Sequence, residues 1–286
     1  MKVVIIGSSV AGFSVAEQLR AKNKNCSITI LTEEAFLPYD RRKLVGYFGG
    51  TVKEKELFLN HPDYYGRENI VVSREMEAMA INCDRRKISV RNKEDRRESV
   101  EYDQLVIASG MKVVPPEING CHKEGVFTFT SLGDVKAAKN CVVSGPIVFY
   151  GGWSPVTRAF AEMLISQKKE AKFIGVPNAD VPAGIEQINS EIVEMIGESG
   201  IQAIKFKEGK IIGSSFLVCA GPVVSSTEFL DETDVKRDNG YVVVDEKCAT
   251  NRPNIFACGS VTGKANSWEE AVSQAAIISD ILAKEA

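Results

Sequence analysis

The sequence predicts an α/β protein built from two β–α–β units, each with a glycine-containing turn after its first strand. In the first unit, an apolar strand over residues 2–6 leads into an amphipathic helix over 12–20 and an alternating strand over 27–31. The second unit repeats this outline with strands over 146–150 and 172–176. Because strands joined by helices pair in parallel and are covered on both faces, we expect two Rossmann-like three-layer domains.

Between and after these units, short apolar runs bounded by charged or glycine-containing turns predict further strands. The loop over residues 36–50 contains three consecutive cations. Ser154 and Pro155 suit the N-cap and first position of the second unit's helix. In chain order, the further predicted elements are strands over 70–72, 77–82, 87–91 and 104–108, a helix over 185–197, strands over 216–220, 241–244 and 254–257, and a helix over 268–283.

Composition excludes several classes of partner. The 286 residues suggest about two domains. The net charge is −3, from 35 basic and 38 acidic residues, which favours neither nucleic acid nor an anionic membrane. No apolar run is long enough to cross a bilayer, and the start does not resemble a signal peptide. The seven cysteines are widely spaced and form no CxxC motif. We therefore expect a cytoplasmic protein without a metal site.

The turn over residues 7–12 has the spacing of the GxGxxG motif, with Ser9 in the middle glycine position. The first glycine makes the tight turn, the last lets the helix pack close to the strand, and backbone N–H groups face a pyrophosphate. Glu33 lies 21 residues after Gly12, where a carboxylate accepts hydrogen bonds from a ribose. These features predict a dinucleotide site. The alternative is an ordinary β–α–β turn with a surface glutamate.

Three further motifs follow in a familiar order: PYDR at residues 38–41, LVIASG at 105–110 and NIFACGS at 254–260. Together with the first turn, they resemble the FAD-dependent pyridine nucleotide-disulfide oxidoreductases. This family of two-dinucleotide-binding-domain flavoproteins includes rubredoxin, ferredoxin and nitrite reductase-type NAD(P)H reductases. The resemblance spans nearly the whole chain. It implies a discontinuous FAD-binding domain, residues 1–110 and 245–286, interrupted by an NAD(P)-binding-like domain over 111–244.

The resemblance also implies which residues bind FAD. The first turn would bind the pyrophosphate, the end of the second strand the adenosine ribose, and Arg41 a phosphate. Ala78 would lie by the adenine, and the two later motifs beside the flavin and ribityl chain. Trp268 would lie near the isoalloxazine ring, although a buried aromatic at a helix start is an equal interpretation. The full set is Gly7, Ser8, Ser9, Val10, Ala11, Gly12, Thr32, Glu33, Glu34, Arg41, Ala78, Ala108, Ser109, Gly110, Gly259, Ser260, Val261 and Trp268.

Four features depart from the family pattern. Ser260 replaces the family's Asp, so its hydrogen bond to the ribityl chain would lack charge assistance. In the second turn, Tyr150 and Pro155 occupy the first and last glycine positions, and proline has no N–H for a phosphate. The next strand ends at residues 174–177 (Ile-Gly-Val-Pro) without a carboxylate for a ribose. The redox cysteine pair is absent, and we expect no C-terminal dimerisation domain.

Three hypotheses for function follow. The first is an FAD-binding oxidoreductase that passes electrons between its flavin and a protein redox partner, such as an iron–sulfur protein, in a larger redox complex. The flavin then carries out the redox chemistry, and no side chain is needed as a catalytic acid or base. The second is a compact NAD(P)H-dependent reductase of rubredoxin, ferredoxin or a small acceptor. The third is a non-enzymatic protein with a vestigial FAD fold. The electron donor, the acceptor and the oligomeric state stay open.

Overall fold

The computed structural model describes residues 1–175 and 181–285 and confirms the predicted α/β class. The chain divides into two compact units. Their ranges differ from the sequence-based boundaries, because residues 41–57 group with the second unit, whereas residues 225–244 and Met111 group with the first. Unit 1 comprises Met1–Asp40, Phe58–Met111 and Ser225–Ala286, and unit 2 comprises Arg41–Leu57 and Lys112–Val224.

The helices and strands follow in chain order. The α-helices are α1 (Val10–Lys22), α2 (Leu44–Gly49), α3 (Pro62–Arg67), α4 (Leu132–Asn140), α5 (Pro155–Ser166) and α6 (Trp268–Leu282). The strands are β1 (Lys2–Ile6), β2 (Ser27–Leu31), β3 (Ile70–Ser73), β4 (Met76–Asn82), β5 (Lys87–Asn92), β6 (Arg97–Glu101), β7 (Gln104–Ile107), β8 (Met111–Val113), β9 (Val126–Phe127), β10 (Ile147–Gly151), β11 (Ala171–Gly175), β12 (Glu186–Ile188), β13 (Ile192–Ile196), β14 (Ala203–Phe206), β15 (Ile211–Gly213), β16 (Phe216–Cys219), β17 (Val223–Ser225), β18 (Arg237–Asp238), β19 (Tyr241–Val242) and β20 (Ile255–Ala257).

Unit 1 is centred on a parallel sheet in the order β20-β7-β1-β2-β3. Strand β1 is apolar after Lys2 because both of its faces are covered. Val3 and Ile5 pack with the core-facing side chains of α1 and α6. Val4 and Ile6 pack on the opposite face, against side chains of the antiparallel sheet β4-β5-β6. This alternation produces three layers, with helices on one face and a second sheet on the other.

Unit 2 has the same kind of centre, a parallel sheet in the order β12-β11-β10-β16-β9. One face packs against the antiparallel sheet β13-β14-β15, whose buried residues include Met195 and Phe206. On α5, Phe160 is fully buried and lies edge-on to Phe149 of β10, with ring centroids 5.7 Å apart. The second predicted β–α–β unit is therefore present.

The helix predicted over residues 185–197 is wrong. This segment forms β12, which pairs with β11, and β13, which pairs with β14. Its apolar residues, Ile188, Ile192 and Met195, are buried by strand neighbours. The β-bulge between Ile192 and Glu194 breaks the two-residue alternation that would have indicated a strand. Pairing with neighbours distant in sequence therefore overrides the local helical pattern.

The segment predicted as a loop over residues 36–50 contains α2, which packs within unit 2. Phe48 lies edge-on to three phenylalanine rings, and its closest centroid distance, 4.8 Å, is to Phe160. Tyr47 accepts a hydrogen bond at its carbonyl from Lys139 of α4, whose ammonium lies 4.4 Å from the Tyr47 ring centroid. These contacts explain why residues 41–57 group with unit 2.

Candidate functional site

Three turns at the carboxyl ends of neighbouring strands form the candidate site in unit 1. They follow β1, β7 and β20, which are adjacent in the sheet. A Cβ atom added at Gly7 would lie 2.1 Å from the Ala108 carbonyl oxygen, and one at Gly259 would lie 2.8 Å from the Ala11 Cβ. One added at Gly110 would lie 3.6 Å from the Ser260 hydroxyl oxygen. The structure therefore brings together the turn over residues 7–12 and the motifs at 105–110 and 254–260, at a position where ligands bind in open α/β sheets.

Two glycines shape the first turn. Gly7 has a φ of +110°, which residues with a side chain rarely adopt. A Cβ atom at Gly12 would lie 2.0 Å from the Gly7 carbonyl oxygen. Only glycine at both positions lets α1 start this close to the end of β1. The turn is thus a cradle that a methyl group would fill.

The start of α1 is suited to an anion. Ser9 is the N-cap residue, yet within the described chain its side chain makes no hydrogen bond to the first helical turn. That turn also contains no acidic residue to neutralise the positive end of the helix dipole. The N–H groups of Val10 and Ala11 lie in this turn, where helix donors lack partners within the helix. This combination fits a pyrophosphate, and FAD therefore fits the residues present.

Buried hydroxyl groups hold the first turn against the end of β2. The Ser8 hydroxyl donates to the Thr32 hydroxyl oxygen at 3.0 Å, and both residues are buried. The Thr32 oxygen also accepts from the Glu34 N–H at 3.2 Å, and the Tyr39 hydroxyl donates to the Glu34 carboxylate at 2.7 Å. Ser8, Thr32 and Glu34 thus make a network within the protein. Tyr39 was not among the predicted site residues, although it belongs to the PYDR motif.

Glu33 is exposed beside this network and lines a cleft of about 210 Å³. Ala78 lies next in sequence to Glu77, one of the cleft residues, and is followed by an irregularity in the β4–β5 register. The charged walls are organised by ion pairs, since Glu77 pairs with Arg91 at 2.6 Å. The cleft is lined by Glu33, Ala35, Glu75, Glu77, Arg91, Asn92 and Lys93.

The two turns after β7 and β20 present mainly backbone. The Ser109 hydroxyl donates to the Ser226 carbonyl at 2.6 Å, so this side chain is engaged within unit 1. Val261 is fully buried, whereas Ser260 is exposed. The Gly259 N–H donates to the side-chain oxygen of Gln274 at 2.8 Å. Gln274 therefore positions the third turn, a role that no motif in the sequence indicated.

Two predicted site residues, Trp268 and Arg41, lie outside the three turns. Trp268 is partly buried at the first position of α6, whose start is capped by Ser267 and Glu270. Arg41 is in unit 2, where its guanidinium donates a hydrogen bond to the Thr130 carbonyl. The Asp134 carboxyl accepts hydrogen bonds from the N–H groups of Thr128 and Phe129, the two residues before Thr130. Burial raises the pKa of this carboxyl.

The second glycine turn differs from its sequence-based register. Tyr150 was assigned the first glycine position, but Gly151 has the matching conformation, with a φ of +100°. A Cβ atom at Gly151 would lie 3.3 Å from the Gly221 backbone nitrogen, beyond the neighbouring strand β16. The assignment of Tyr150 is therefore wrong, because it rested on spacing within a turn whose length differs. Val176 and Pro177, at the predicted end of the next strand, lie outside the described residues.

The cysteines provide no redox pair in the described parts of the chain, where all seven are free. Cys258 precedes Gly259 of the third turn, but it is fully buried, and burial raises the pKa of its thiol. A buried protonated thiol is a poor nucleophile. Among residues 1–175 and 181–285 there is also no cluster of His, Cys, Asp and Glu that could hold a metal ion. No helix in these ranges is long and apolar enough to span a membrane.

Comparison with known proteins adds a family and a fold. A family model described as pyridine nucleotide-disulphide oxidoreductase matches residues 1–174 and 182–275. The NADH oxidase of Methanocaldococcus jannaschii is 25% identical over 281 residues, covering 91% of this chain and 62% of that protein. The chain therefore spans about three fifths of the length of this relative.

Solved structures agree in fold. The reduced CoADR-RHD of Bacillus anthracis has a TM-score of 0.85 at 19% identity, covering 99% of this chain and 57% of that one. The NADH:rubredoxin oxidoreductase of Clostridium acetobutylicum has a TM-score of 0.78 at 21% identity, covering 99% of this chain and 75% of that one. At these identities the likeness shows a shared fold.

Proposed function

The chain belongs to the pyridine nucleotide-disulphide oxidoreductase family, and from this premise we propose that it is an oxidoreductase that binds FAD at the three turns of unit 1. The observation that carries the proposal is the start of α1. Its N-cap side chain makes no hydrogen bond to the first turn within the described chain, and Gly7 and Gly12 hold it close to β1. These features suit a pyrophosphate.

Each predicted residue has a proposed role. Backbone N–H groups of residues 9–11 bind the pyrophosphate, Glu33 the adenosine ribose and Arg41 a phosphate. The backbone of Ala78 faces the adenine. Residues 108–110 and 259–261 provide backbone to the ribityl chain and flavin, with Trp268 beside the ring. Ser8, Thr32 and Glu34 act through their network, which fixes the turn against β2.

FAD supplies the redox chemistry when bound, because its ring accepts and releases electrons. The protein residues therefore bind, orient and shield the cofactor, and no side chain is proposed as a catalytic acid or base. This division of labour agrees with the buried, protonated state of Cys258, the thiol nearest in sequence to the third turn.

The proposed electron partner is a protein, such as an iron–sulfur protein. One solved structure of the same fold is an NADH:rubredoxin oxidoreductase, whose name gives a redox protein as its partner. The glycine turn after β10, in unit 2, favours a protein over a pyridine nucleotide as the electron partner. Its helix, α5, begins with a proline and a side-chain capping box, whereas α1 has neither. The names of other relatives, such as NADH oxidase, favour the alternative of a compact NAD(P)H-dependent reductase.

A reductive titration tests the proposal. The purified protein is saturated with FAD, freed of excess cofactor and titrated without oxygen, first with NADH or NADPH and then with a reduced ferredoxin-type protein. We expect the visible flavin band to persist with the nucleotides and to bleach with the reduced protein. Rapid stoichiometric bleaching by NADH would establish the alternative. A protein that retains no FAD would refute the proposed function altogether.

A further inference from the structure

The glycine turn after β10 in unit 2, called the second turn here, does not fit the pyrophosphate of a pyridine nucleotide. Comparison with the turn after β1, the first turn, shows why. Both turns follow the central strand of a parallel sheet with a glycine of positive φ, +110° at Gly7 and +100° at Gly151. The N-cap residue follows two positions later in the first turn, at Ser9, and three positions later in the second, at Ser154. The second turn is therefore one residue longer.

At the start of α5, two backbone donors are already used and a third is missing. Pro155, the first helical residue, has no N–H. The Thr157 N–H donates to the Ser154 hydroxyl at 3.1 Å, and the Ser154 N–H donates to the Thr157 hydroxyl at 2.8 Å. A phosphate bound there would face the hydroxyl oxygens of Ser154 and Thr157. To bind it, the protein would have to break the hydrogen bonds of this capping box.

The position that allows close packing in the first turn is filled in the second. Gly12 is the third residue of α1, and its missing side chain lets the helix approach the Gly7 carbonyl. The third residue of α5 is Thr157, which is 1% exposed. A buried β-branched side chain therefore occupies the position where glycine permits the close approach in the first turn.

A tryptophan also lies in the second turn. Trp153 directly precedes the N-cap, as Ser8 does in the first turn, and each side chain contacts the next strand or its end. Ser8 reaches Thr32 with a hydroxyl. Trp153 instead stacks on the fully buried Phe173 of β11, with ring centroids 4.9 Å apart and planes inclined by 17°.

From these four differences we propose that unit 2 excludes NADH and NADPH, and that Trp153, Pro155 and the Ser154–Thr157 capping box are the residues that exclude them. The inference deepens the proposed function and rests on it in one respect, that the electrons of the flavin then come from another protein. Unit 2 keeps the nucleotide-binding topology, while its turn is closed by its own side chains.

Calorimetric binding tests the proposal on the FAD-loaded protein. NADH, NADPH and ADP are titrated to about 1 mM, the upper end of usual enzyme KM values. We expect no saturable heat. A graft that replaces residues 152–157 by Ser-Ser-Val-Ala-Gly, the sequence of residues 8–12, shortens the turn and should bind at least one of these ligands at least tenfold more tightly. The control is Val142→Ser, a substitution at a side chain that is 87% exposed, which should behave as the wild type.

Saturable nucleotide binding by the wild-type protein would overturn the proposal. A graft that folds, judged by circular dichroism and retained FAD, and still binds nothing would overturn the assignment to these residues. If the graft does not fold, the milder Pro155→Ala and Thr157→Ala pair takes its place, with an expected gain of several-fold and the same interpretation. FAD retention is measured separately by absorbance, so a failure of the proposed function is distinguishable from a failure of this inference.

Discussion

Two serines at matching helix starts use their side chains in opposite ways. In the described chain, Ser9 leaves the first turn of α1 without a side-chain acceptor, whereas Ser154 accepts a hydrogen bond from Thr157 at the start of α5. A side-chain cap contributes about 1 kcal/mol to helix stability. The first turn forgoes this contribution where an anion is proposed to bind, and the second keeps it. The proposed binding turn and the capped turn of unit 2 thus differ in how the N-cap serine is used.

The first prediction at this scale concerns Ser9→Asp. An aspartate cap should stabilise the FAD-free protein by about 1 kcal/mol and weaken FAD binding at least tenfold, because its carboxylate competes with the pyrophosphate for the same N–H groups. Urea unfolding and equilibrium FAD titration measure the two effects. Ser9→Asn is the control, since it caps the helix without charge and should lose less affinity. Unchanged FAD affinity in Ser9→Asp would place the pyrophosphate elsewhere.

The second prediction concerns Gly259, whose φ is +82° and whose added Cβ atom would lie 2.8 Å from the Ala11 Cβ. Gly259→Ala should destabilise the protein by about 3 kcal/mol, from backbone strain and this close contact together. Gly240→Ala is a control in unit 1 with a similar φ, +85°, and open space around the new methyl group. It should cost about 1 kcal/mol. Equal losses in chemical unfolding would show that Ala11 and the third turn are not in contact.

At the scale of elements, α2 and α4 are joined by a polar cluster that accompanies the aromatic packing of Phe48. The Glu54 carboxylate lies 2.9 Å from the Lys136 ammonium of α4 and accepts a hydrogen bond from Tyr47 of α2. The hydrogen bond from Lys136 is the main cause that holds the pKa of Glu54 below its usual value. Both side chains of the ion pair are partly exposed, so its contribution is small.

This cluster predicts a pH dependence. Because the pKa of Glu54 is lowered by folding, its ionised form stabilises the folded state above the unfolded-state pKa, and the effect is lost as the pH falls through the folded-state value. Glu54→Gln should therefore be less stable than the wild type at pH 7, by less than about 1 kcal/mol. The difference should begin to narrow near about pH 4 and vanish once the pH is below the folded-state pKa of Glu54. Urea unfolding of both proteins across this range measures the difference. A difference that grows at low pH would contradict the ion-pair assignment.

At the scale of the whole molecule, the two units have similar sheets. They differ at the turn between the central strand and the helix that follows it. Each has a five-stranded parallel sheet covered on one face by a three-stranded antiparallel sheet. The family match extends over both units. A shared fold therefore does not imply a shared ligand, because binding depends on the residues at the helix start.

Hydrogen exchange checks this contrast. FAD at 100 times its Kd should stabilise the state that binds it by about 2.7 kcal/mol. We expect slower amide exchange in the described residues of unit 1, chiefly at the start of α1 and around residues 108–110 and 259–261. In unit 2 the expected change is limited to the neighbourhood of Arg41, and the start of α5 should exchange as before. Protection at residues 151–157 would contradict the proposed location of the cofactor.

The sequence alone was sufficient to predict the α/β class, the family and the presence of both β–α–β units. The class and the two units depend on local requirements, such as an apolar strand followed by a glycine whose conformation excludes a side chain. The family was predicted from the resemblance of the four motifs. The same reasoning identified Gly7, Gly12 and the motifs after β7 and β20, which the sheet order then brings side by side. Short-range chemistry of this kind is visible in the order of the residues.

Tertiary structure decided what depends on partners far away in the chain. It placed residues 41–57 in unit 2 through Phe48, converted residues 185–197 from a predicted helix into two strands, and gave the glycine conformation to Gly151 in place of Tyr150. The physical reason is the same in each case. Burial, strand pairing and hydrogen-bond partners such as Gln274 for Gly259 are set by contacts between distant segments, and periodicity or spacing within one segment does not contain them.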